Sequence, residues 1–215
     1  MSIFEQLSHN KGTVSTTLGK ALAKDVLDGH TSILMECIQL ASYEKSKLNQ
    51  KHVRAGAAKV VELVAEERPE LVAPHLGELL PALSVEEPQT RWAIIRTMGF
   101  CAHLNKAVAQ KAVPYAEKYI AEKKDGLILA SSADLFLGDL GCISNKEAGR
   151  VFPILNRSME NVMENEQDWL LEALYKVYSN VGSTEQNTIK KFAEVWQSSS
   201  RKSTQQRAKR LLKIK

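Results

Sequence analysis

The 215-residue sequence has no apolar segment that approaches the roughly 18 residues of a membrane-spanning helix. Its first residues, MSIFEQLSHNKG, lack the basic segment and long apolar core of a signal peptide. Apolar residues make up 44% of the chain and charged residues 25%, which are ordinary values for a folded protein and exclude the disordered class. These absences favour a cytoplasmic, globular protein.

Paired redox and metal-binding motifs are also absent. The three cysteines, Cys37, Cys101 and Cys142, are widely spaced and form no CxxC pair. Each lies in an apolar stretch, which predicts small buried side chains in a reducing compartment. The five histidines never approach one another at ligand spacing, and no HExxH motif occurs. We therefore expect neither a metal site nor a cofactor.

The sequence contains no phosphate-binding glycine loop, nucleophile elbow or kinase signature. Gly138-Asp139-Leu140-Gly141 follows a helical pattern and not a strand, so we expect a helix C-terminus there. The acid pairs Glu66-Glu67 and Glu86-Glu87 adjoin predicted turns, where we expect solvated carboxylates. No catalytic residue is predicted.

Helix signals dominate the chain, and strand signals are nearly absent. Alanine, leucine, glutamate, lysine and glutamine are abundant, and apolar residues recur three and four positions apart. This pattern predicts about ten helices. The predicted breaks between helices lie at Asp28-Gly29, Pro88-Gln89-Thr90, Lys124-Asp125-Gly126 and Gly182-Ser183-Thr184.

The predicted helices repeat at a nearly constant interval, which is typical of a solenoid. Similar helical segments begin at Val53, Thr90, Leu127, Asp168 and Gln205. A second series, Pro74, Pro114 and Pro153, keeps almost the same interval. Because proline is tolerated in the first turn of a helix, we interpret each of these prolines as the opening turn of a second helix.

The segment from Val53-Arg54 to LVAPHLGELLPAL resembles the HEAT-repeat consensus, and Thr90-Arg91 with VPYAEKYI is similar to a second copy. The third copy departs from the pattern, with Ile128 in place of the arginine and about four additional residues. The resemblance implies an all-α, right-handed α-α superhelix of about five helical hairpins. We expect one domain over 1–215, capped by residues 1 to about 14 and by a basic segment at about 201–215.

In HEAT-repeat proteins the second helices line the concave face, and the resemblance implies the same here. The exposed position four residues after each proline is Glu78, Lys118 or Arg157, and Glu194 is its equivalent in the last repeat. These charges alternate in sign, which favours a protein partner over a phosphate backbone. We therefore expect a non-catalytic scaffold that binds a protein on this face, with no small-molecule substrate.

Positive charge is concentrated at the C-terminal end of the sequence. Residues 186–215 contain nine lysines and arginines against one acid, Glu194. Three interpretations stay open: a solvated helical cap, a contact for nucleic acid or an acidic partner, and contact with an anionic membrane surface. The candidate cations are Lys190, Lys191, Arg201, Lys202, Arg207, Lys209 and Arg210.

The alternative function is a nucleic-acid-binding protein, or a DNA alkylbase glycosylase of the HEAT-like type, that uses the basic C-terminal repeat. Such glycosylases hold an aromatic residue and an aspartate one helical turn apart. Four residues beyond Trp92, Trp169 and Trp196, however, the sequence has no aspartate. Asp168 directly precedes Trp169, and we expect it to cap a helix. An enzymatic role is therefore not expected.

Overall fold

The computed structural model describes residues 1–9, 17–42, 51–123, 126–163 and 165–214. Within these ranges the chain is helical and contains no strand, which confirms the all-α prediction. The chain divides into two compact units, Met1–Tyr115 and Ala116–Lys215. Residues 10–14 of the predicted N-terminal cap, the predicted break at Lys124-Asp125 and the last cap residue, Lys215, lie outside the described residues.

The helices of the first unit pack around α4. They are α1 (Ile3–His9), α2 (Thr17–Leu27), α3 (Thr31–Ser42), α4 (Lys51–Glu67), α5 (Pro69–Val72) with a 3₁₀ helix over Ala73–Ser84, and α6 (Pro88–Phe100). Helix α7 (Lys106–Glu122) follows and continues into the second unit.

The second unit is built around α8, on which α9 and α10 pack. Its helices are α8 (Leu127–Gly141), α9 (Asn145–Glu160), α10 (Gln167–Val177) with a 3₁₀ turn at Tyr178–Asn180, α11 (Ser183–Trp196) and α12 (Lys202–Leu212). Helix α8 is buried on nearly all sides because its sequence, LILASSADLFLGDLG, is apolar or small almost throughout.

Consecutive helices form the predicted hairpins, each with a first and a second helix. The pairs are α2 with α3, α4 with α5 and its 3₁₀ extension, α6 with α7, α8 with α9, and α10 with α11. Helix α12 follows as a further first helix. Each first helix from α4 onward begins within three residues of its predicted repeat start.

The predicted breaks are confirmed wherever the structure describes them. Helix α2 ends at Leu27, and Gly29 follows with φ of +114°, a conformation that glycine adopts without a steric penalty. Pro88 is the first residue of α6, and Gly182 is the N-cap of α11. Gly138-Asp139-Leu140-Gly141 forms the last turn of α8, as predicted.

The predicted role of the proline series is wrong at two of its three positions. Pro114 and Pro153 lie inside α7 and α9, whereas Pro74 lies in the first turn of the 3₁₀ helix Ala73–Ser84, which continues from α5. Pro114 and Pro153 are both exposed, so the carbonyl that loses its backbone donor at each can bond to water. A solvent-facing helix interior therefore tolerates them.

Small residues bring helices close together in both units. A Cβ atom on Gly138 of α8 would lie 2.7 Å from Ala173 Cα of α10, too close for any real contact. In the first unit, a Cβ on Gly56 of α4 would lie 3.0 Å from Leu7 Cδ2 of α1. Leu7 and Ile3 are buried there, so the described part of the predicted N-terminal cap packs on the first unit.

Two predictions about burial need correction. Glu87 is not solvated, because its carboxylate is buried and accepts a hydrogen bond from Arg54 Nη2 at 2.7 Å. Cys37 and Cys101 are buried as predicted, but Cys142 is exposed because it follows the last residue of α8. Burial raises the pKa of both Cys37 and Cys101 to about 12, so these thiols stay protonated at neutral pH.

Candidate binding surfaces

The second helices of the second unit bury one face and expose the other. Helix α9 begins at Asn145, where the Ser144 hydroxyl accepts a hydrogen bond from the Glu147 backbone N–H. Its apolar residues recur three and four positions apart and are buried: Ala148, Val151, Ile154, Leu155 and Met159. The opposite face is therefore presented to solvent.

The structure exposes the predicted residues Lys118 of α7, Arg157 of α9 and Glu194 of α11. Arg157 Nη2 donates to Glu117 Oε1 of α7, so an ion pair ties two successive second helices together. With Arg150 and Lys191, which are also exposed, these residues define what we call the second-helix surface: Lys118, Arg150, Arg157, Lys191 and Glu194.

Glu78, the remaining residue of the predicted ridge, belongs to the first unit. It lies in the 3₁₀ helix Ala73–Ser84 and is exposed. Its carboxylate oxygen Oε1 is 2.9 Å from His75 Nδ1, one turn earlier. Its place on the second helix of its hairpin agrees with the prediction, and its participation in binding stays a prediction.

Three of the C-terminal arginines pair with acids of the preceding first helix. Arg201 Nη2 is 3.4 Å from Asp168 Oδ2, and Arg207 Nη1 is 3.9 Å from the same oxygen. Arg210 Nη2 is 2.5 Å from Glu172 Oε2, and its guanidinium lies 3.9 Å above the centre of the Tyr175 ring. These contacts hold α12 on α10 and partly neutralise the arginines.

The candidate lysines are placed differently. Lys190 Nζ lies 5.6 Å from the centre of the Tyr178 ring, a cation–π distance. Lys191, Lys202 and Lys209 are exposed and have no ion-pair partner within the described ranges. Lys202 and Lys209 lie on the side of α12 opposite its buried residues Thr204, Ala208 and Leu211.

The predicted role of Asp168 as a helix N-cap is wrong. Helix α10 begins at Gln167 after the N-cap residue Glu166, so Asp168 lies in the first turn. Its nearly buried carboxylate accepts hydrogen bonds from Ser203 Oγ, at 2.7 Å, and from Thr204 Oγ1. The carboxylate therefore contacts the first turn of α12 and does not cap its own helix.

A buried polar cluster lies between α8, α9 and the loop before α10. Ser158 Oγ donates to Asp134 Oδ2 at 3.2 Å, and Lys123 Nζ is 2.6 Å from Glu166 Oε2. Burial, and secondarily the negative charge of Glu166, raise the pKa of Asp134 well above its usual range. Asp134 and Glu166 have no solvent-accessible surface, which keeps substrates away from them.

Among the residues that the structure describes, no helix is both long and apolar enough to cross a membrane. These residues also contain no group of three histidine, cysteine or acidic side chains that is arranged to bind a metal ion.

Sequence reasoning did not identify the partners of the predicted cations. Glu117 follows Pro114 by three residues and lies 40 positions before Arg157, close to the repeat interval. Glu172 precedes Arg210 by 38 positions. Opposite charges separated by about one repeat length were therefore a usable signal for contacts between neighbouring hairpins.

Solved structures with the same fold match nearly the whole chain. A designed armadillo repeat protein in complex with peptide (KR)4 has a TM-score of 0.58 and 12% identity, with 92% of this chain and 98% of that chain covered. Computationally designed armadillo repeat proteins for modular peptide recognition have a TM-score of 0.61 and 12% identity, with 98% and 97% covered. This chain has an armadillo-type repeat fold.

A third similar solved structure is that of an engineered protein, with a TM-score of 0.61 and 14% identity over 98% of this chain and 94% of that chain. At such identities the likeness shows the fold alone. No protein-family model matches the sequence, and no curated protein matches it.

Proposed function

We propose that this armadillo-type chain is a non-catalytic scaffold that binds a segment of a protein partner across its second-helix surface. The observation that carries the proposal is the exposure of Lys118, Arg157 and Glu194 on three successive second helices. Two of the structurally similar proteins support it, since one is in complex with a peptide and another is described as made for modular peptide recognition.

The charges of the second-helix surface indicate the chemistry of the partner. Lys118, Arg150, Arg157 and Lys191 are cationic, whereas Glu194 is anionic, and Glu117 lies beside Arg157. A partner segment with acidic side chains and at least one basic side chain complements this pattern, because matched charges favour the correct register and disfavour other registers.

Packing beneath this surface suits a scaffold. Val151, Leu155 and Ile189 are buried under α9 and α11, and Arg157 is tied to Glu117 on the neighbouring helix. A surface whose helices are fixed before binding loses little conformational entropy when a partner docks. On this proposal, a partner binds without rearrangement of α9 or α11.

The test begins with a display library of random short peptides selected on the full chain. Enriched peptides are synthesised, and their affinities are measured by fluorescence anisotropy for the native chain and for the variant Lys118→Glu/Arg157→Glu/Glu194→Lys. We expect the enriched peptides to be rich in acidic residues. We expect the variant to bind them at least about tenfold more weakly, since each lost charge-assisted contact contributes on the order of 1 kcal/mol or more.

The matched control is Lys20→Glu/Lys24→Glu/Asp25→Lys on α2, which changes the net charge equally at three exposed helical positions. It should leave the peptide affinities unchanged. Equal weakening by both variants would show a general effect of net charge, and unchanged binding by the first variant would remove the second-helix surface from the mechanism.

A nucleic-acid function for the basic C-terminal segment has less support. Arg201, Arg207 and Arg210 already contact Asp168 and Glu172, so the free positive charge is smaller than the sequence indicates. Duplex binding gains affinity with each phosphate neutralised by an available cation. The partly paired arginines therefore favour the protein-binding proposal.

A further inference from the structure

A groove of about 330 Å³ lies between the first helices α10 and α12, apart from the second-helix surface. Glu172 of α10 and Ser203, Gln206, Arg207 and Arg210 of α12 line it. Its size is at the lower end of ligand-binding pockets and is sufficient for one or two side chains of a bound peptide.

Two guanidinium groups in the groove share one carboxylate. Glu172 Oε2 lies 2.5 Å from Arg210 Nη2 and 3.5 Å from Arg207 Nε. The second contact lacks the geometry of a hydrogen bond, and Arg207 Nε is buried with no acceptor among the described residues. Because each guanidinium carries five N–H donors, the two nearby carboxylates, Glu172 and Asp168, leave this pair of arginines underpaired.

The guanidinium groups are also held in position. Arg210 stacks 3.9 Å above the centre of the Tyr175 ring while it contacts Glu172. Arg207 reaches Asp168 Oδ2 at 3.9 Å and is partly exposed, with 38% of its side chain accessible. Fixed, partly exposed guanidinium groups are suited to bidentate recognition of an oxyanion.

Neighbouring aromatic groups define the ligand further. Lys202 and Lys209 are exposed on the same helix but do not line the groove. On α10, Trp169 is 45% exposed one turn before Glu172, and Tyr175 is 36% exposed one turn after it. These rings offer apolar contact to the residues on either side of an anionic side chain.

From these contacts we propose that the α10–α12 groove binds a peptide through an oxyanionic side chain, a carboxylate or a phosphate, seated on Arg207 and Arg210. The incoming oxyanion supplies acceptors to the exposed parts of the two guanidinium groups, which Glu172 and Asp168 do not saturate. Glu172 orients the two arginines but also repels the ligand, so it sets an upper limit to the affinity.

Because of this repulsion, removal of the Glu172 charge should strengthen peptide binding, whereas damage to the fold would weaken it. The probes are fluorescein-labelled peptides of one neutral sequence with glutamate, phosphoserine or alanine at the centre, titrated at about 150 mM salt, where the Debye length is about 8 Å. We expect the phosphoserine peptide to bind most tightly, the glutamate peptide more weakly, and the alanine peptide not measurably. The variant Glu172→Gln should bind the first two at least about threefold more tightly, because a resident negative charge is removed.

The variant Arg207→Gln/Arg210→Gln should lose at least about tenfold in affinity. Its control, Lys202→Gln/Lys209→Gln, removes equal charge from the same helix and should lose less than about threefold, as expected for screened charges. Weaker or unchanged binding by Glu172→Gln would overturn the proposal, as would equal losses in the two double variants. Equal binding of the alanine peptide, or tighter binding of duplex DNA than of every peptide, would also overturn it.

Discussion

Replacement of Gly138 by alanine should destabilise the second unit. The added methyl group would lie 2.7 Å from Ala173 Cα, 3.0 Å from its Cβ and 3.1 Å from its carbonyl oxygen, so α8 and α10 must separate. Overpacking typically costs about 1–3 kcal/mol, and the upper half of this range, about 2–3 kcal/mol, applies here because the contact is with a backbone atom. The better helix propensity of alanine returns up to about 1 kcal/mol. We expect a net loss of about 1–2 kcal/mol in the free energy of unfolding.

Gly149 provides the matched control in the neighbouring helix α9. It is exposed, and a Cβ atom there would meet no other atom within 4 Å. Gly149→Ala should therefore gain the helix propensity without the clash, and stabilise the chain by about 0.5–1 kcal/mol. The same substitution in two adjacent helices is thus expected to have opposite signs.

Both variants are measured by urea unfolding followed by circular dichroism, with thermal melts as a second observable. In a chain of this size, 1 kcal/mol corresponds to about 2–4 °C in Tm. Gly138→Ala should lower Tm by about 4 °C, and Gly149→Ala should raise it by about 2 °C. A Gly138→Ala variant as stable as the native chain would refute the close approach of α8 and α10.

Three further predictions follow from buried charges and from the C-terminal cations. The pKa of Asp134 is raised in the folded state, so its contribution to stability is complete below the unfolded pKa and is lost as pH rises toward the folded pKa. In thermal melts, Asp134→Asn should therefore gain stability relative to the native chain as pH increases from 4 to 8. A stability difference that does not change with pH would contradict this. Glu87→Ala removes the buried carboxylate that pairs with Arg54 and should cost about 3 kcal/mol in urea unfolding. Glu67→Ala, at an exposed position, should change stability by less than about 0.5 kcal/mol, and equal effects of the two substitutions would show that the ion pair is unimportant. A fluorescent DNA duplex should bind weakly in anisotropy titrations, with affinity falling less than about tenfold between 50 and 200 mM salt, and a steeper fall would indicate that many cations contact phosphates.

Hairpin architecture was predictable because it depends on local patterns that recur. The first-helix starts near Val53, Thr90 and Leu127 follow from apolar spacing and from residues such as Pro88 that begin helices. Similar segments recur at an interval of 37 residues, and each hairpin has an apolar stripe that only the neighbouring hairpins can cover. Local pattern and period therefore determine the fold.

Predictions failed where the answer depends on residues distant in sequence. Glu87 resembles a solvated turn residue until Arg54, 33 positions earlier, is placed beside it. Asp168 resembles an N-cap because it precedes an apolar helix, yet its partners belong to α12. Composition also could not distinguish a helix start from an exposed helix interior at Pro114, since proline is tolerated at both.

For the predicted binding residues, too, exposure was predictable from the sequence but contacts between helices were not. Counting four residues from each proline correctly predicted exposed positions at Glu78, Lys118 and Arg157, with Glu194 as their equivalent. It could not show that Arg157 pairs with Glu117, or that Arg207 and Arg210 meet at Glu172 in a groove. These features depend on which helices become neighbours.

The central claim, that a partner segment binds across the second-helix surface, is tested most directly by a crystal structure of the chain with a peptide enriched from the display library. The account predicts that the peptide crosses α9 and α11, with an acidic side chain within hydrogen-bonding distance of Arg157 or Arg150. A peptide bound only to first helices, with α9 and α11 exposed to solvent, would contradict it.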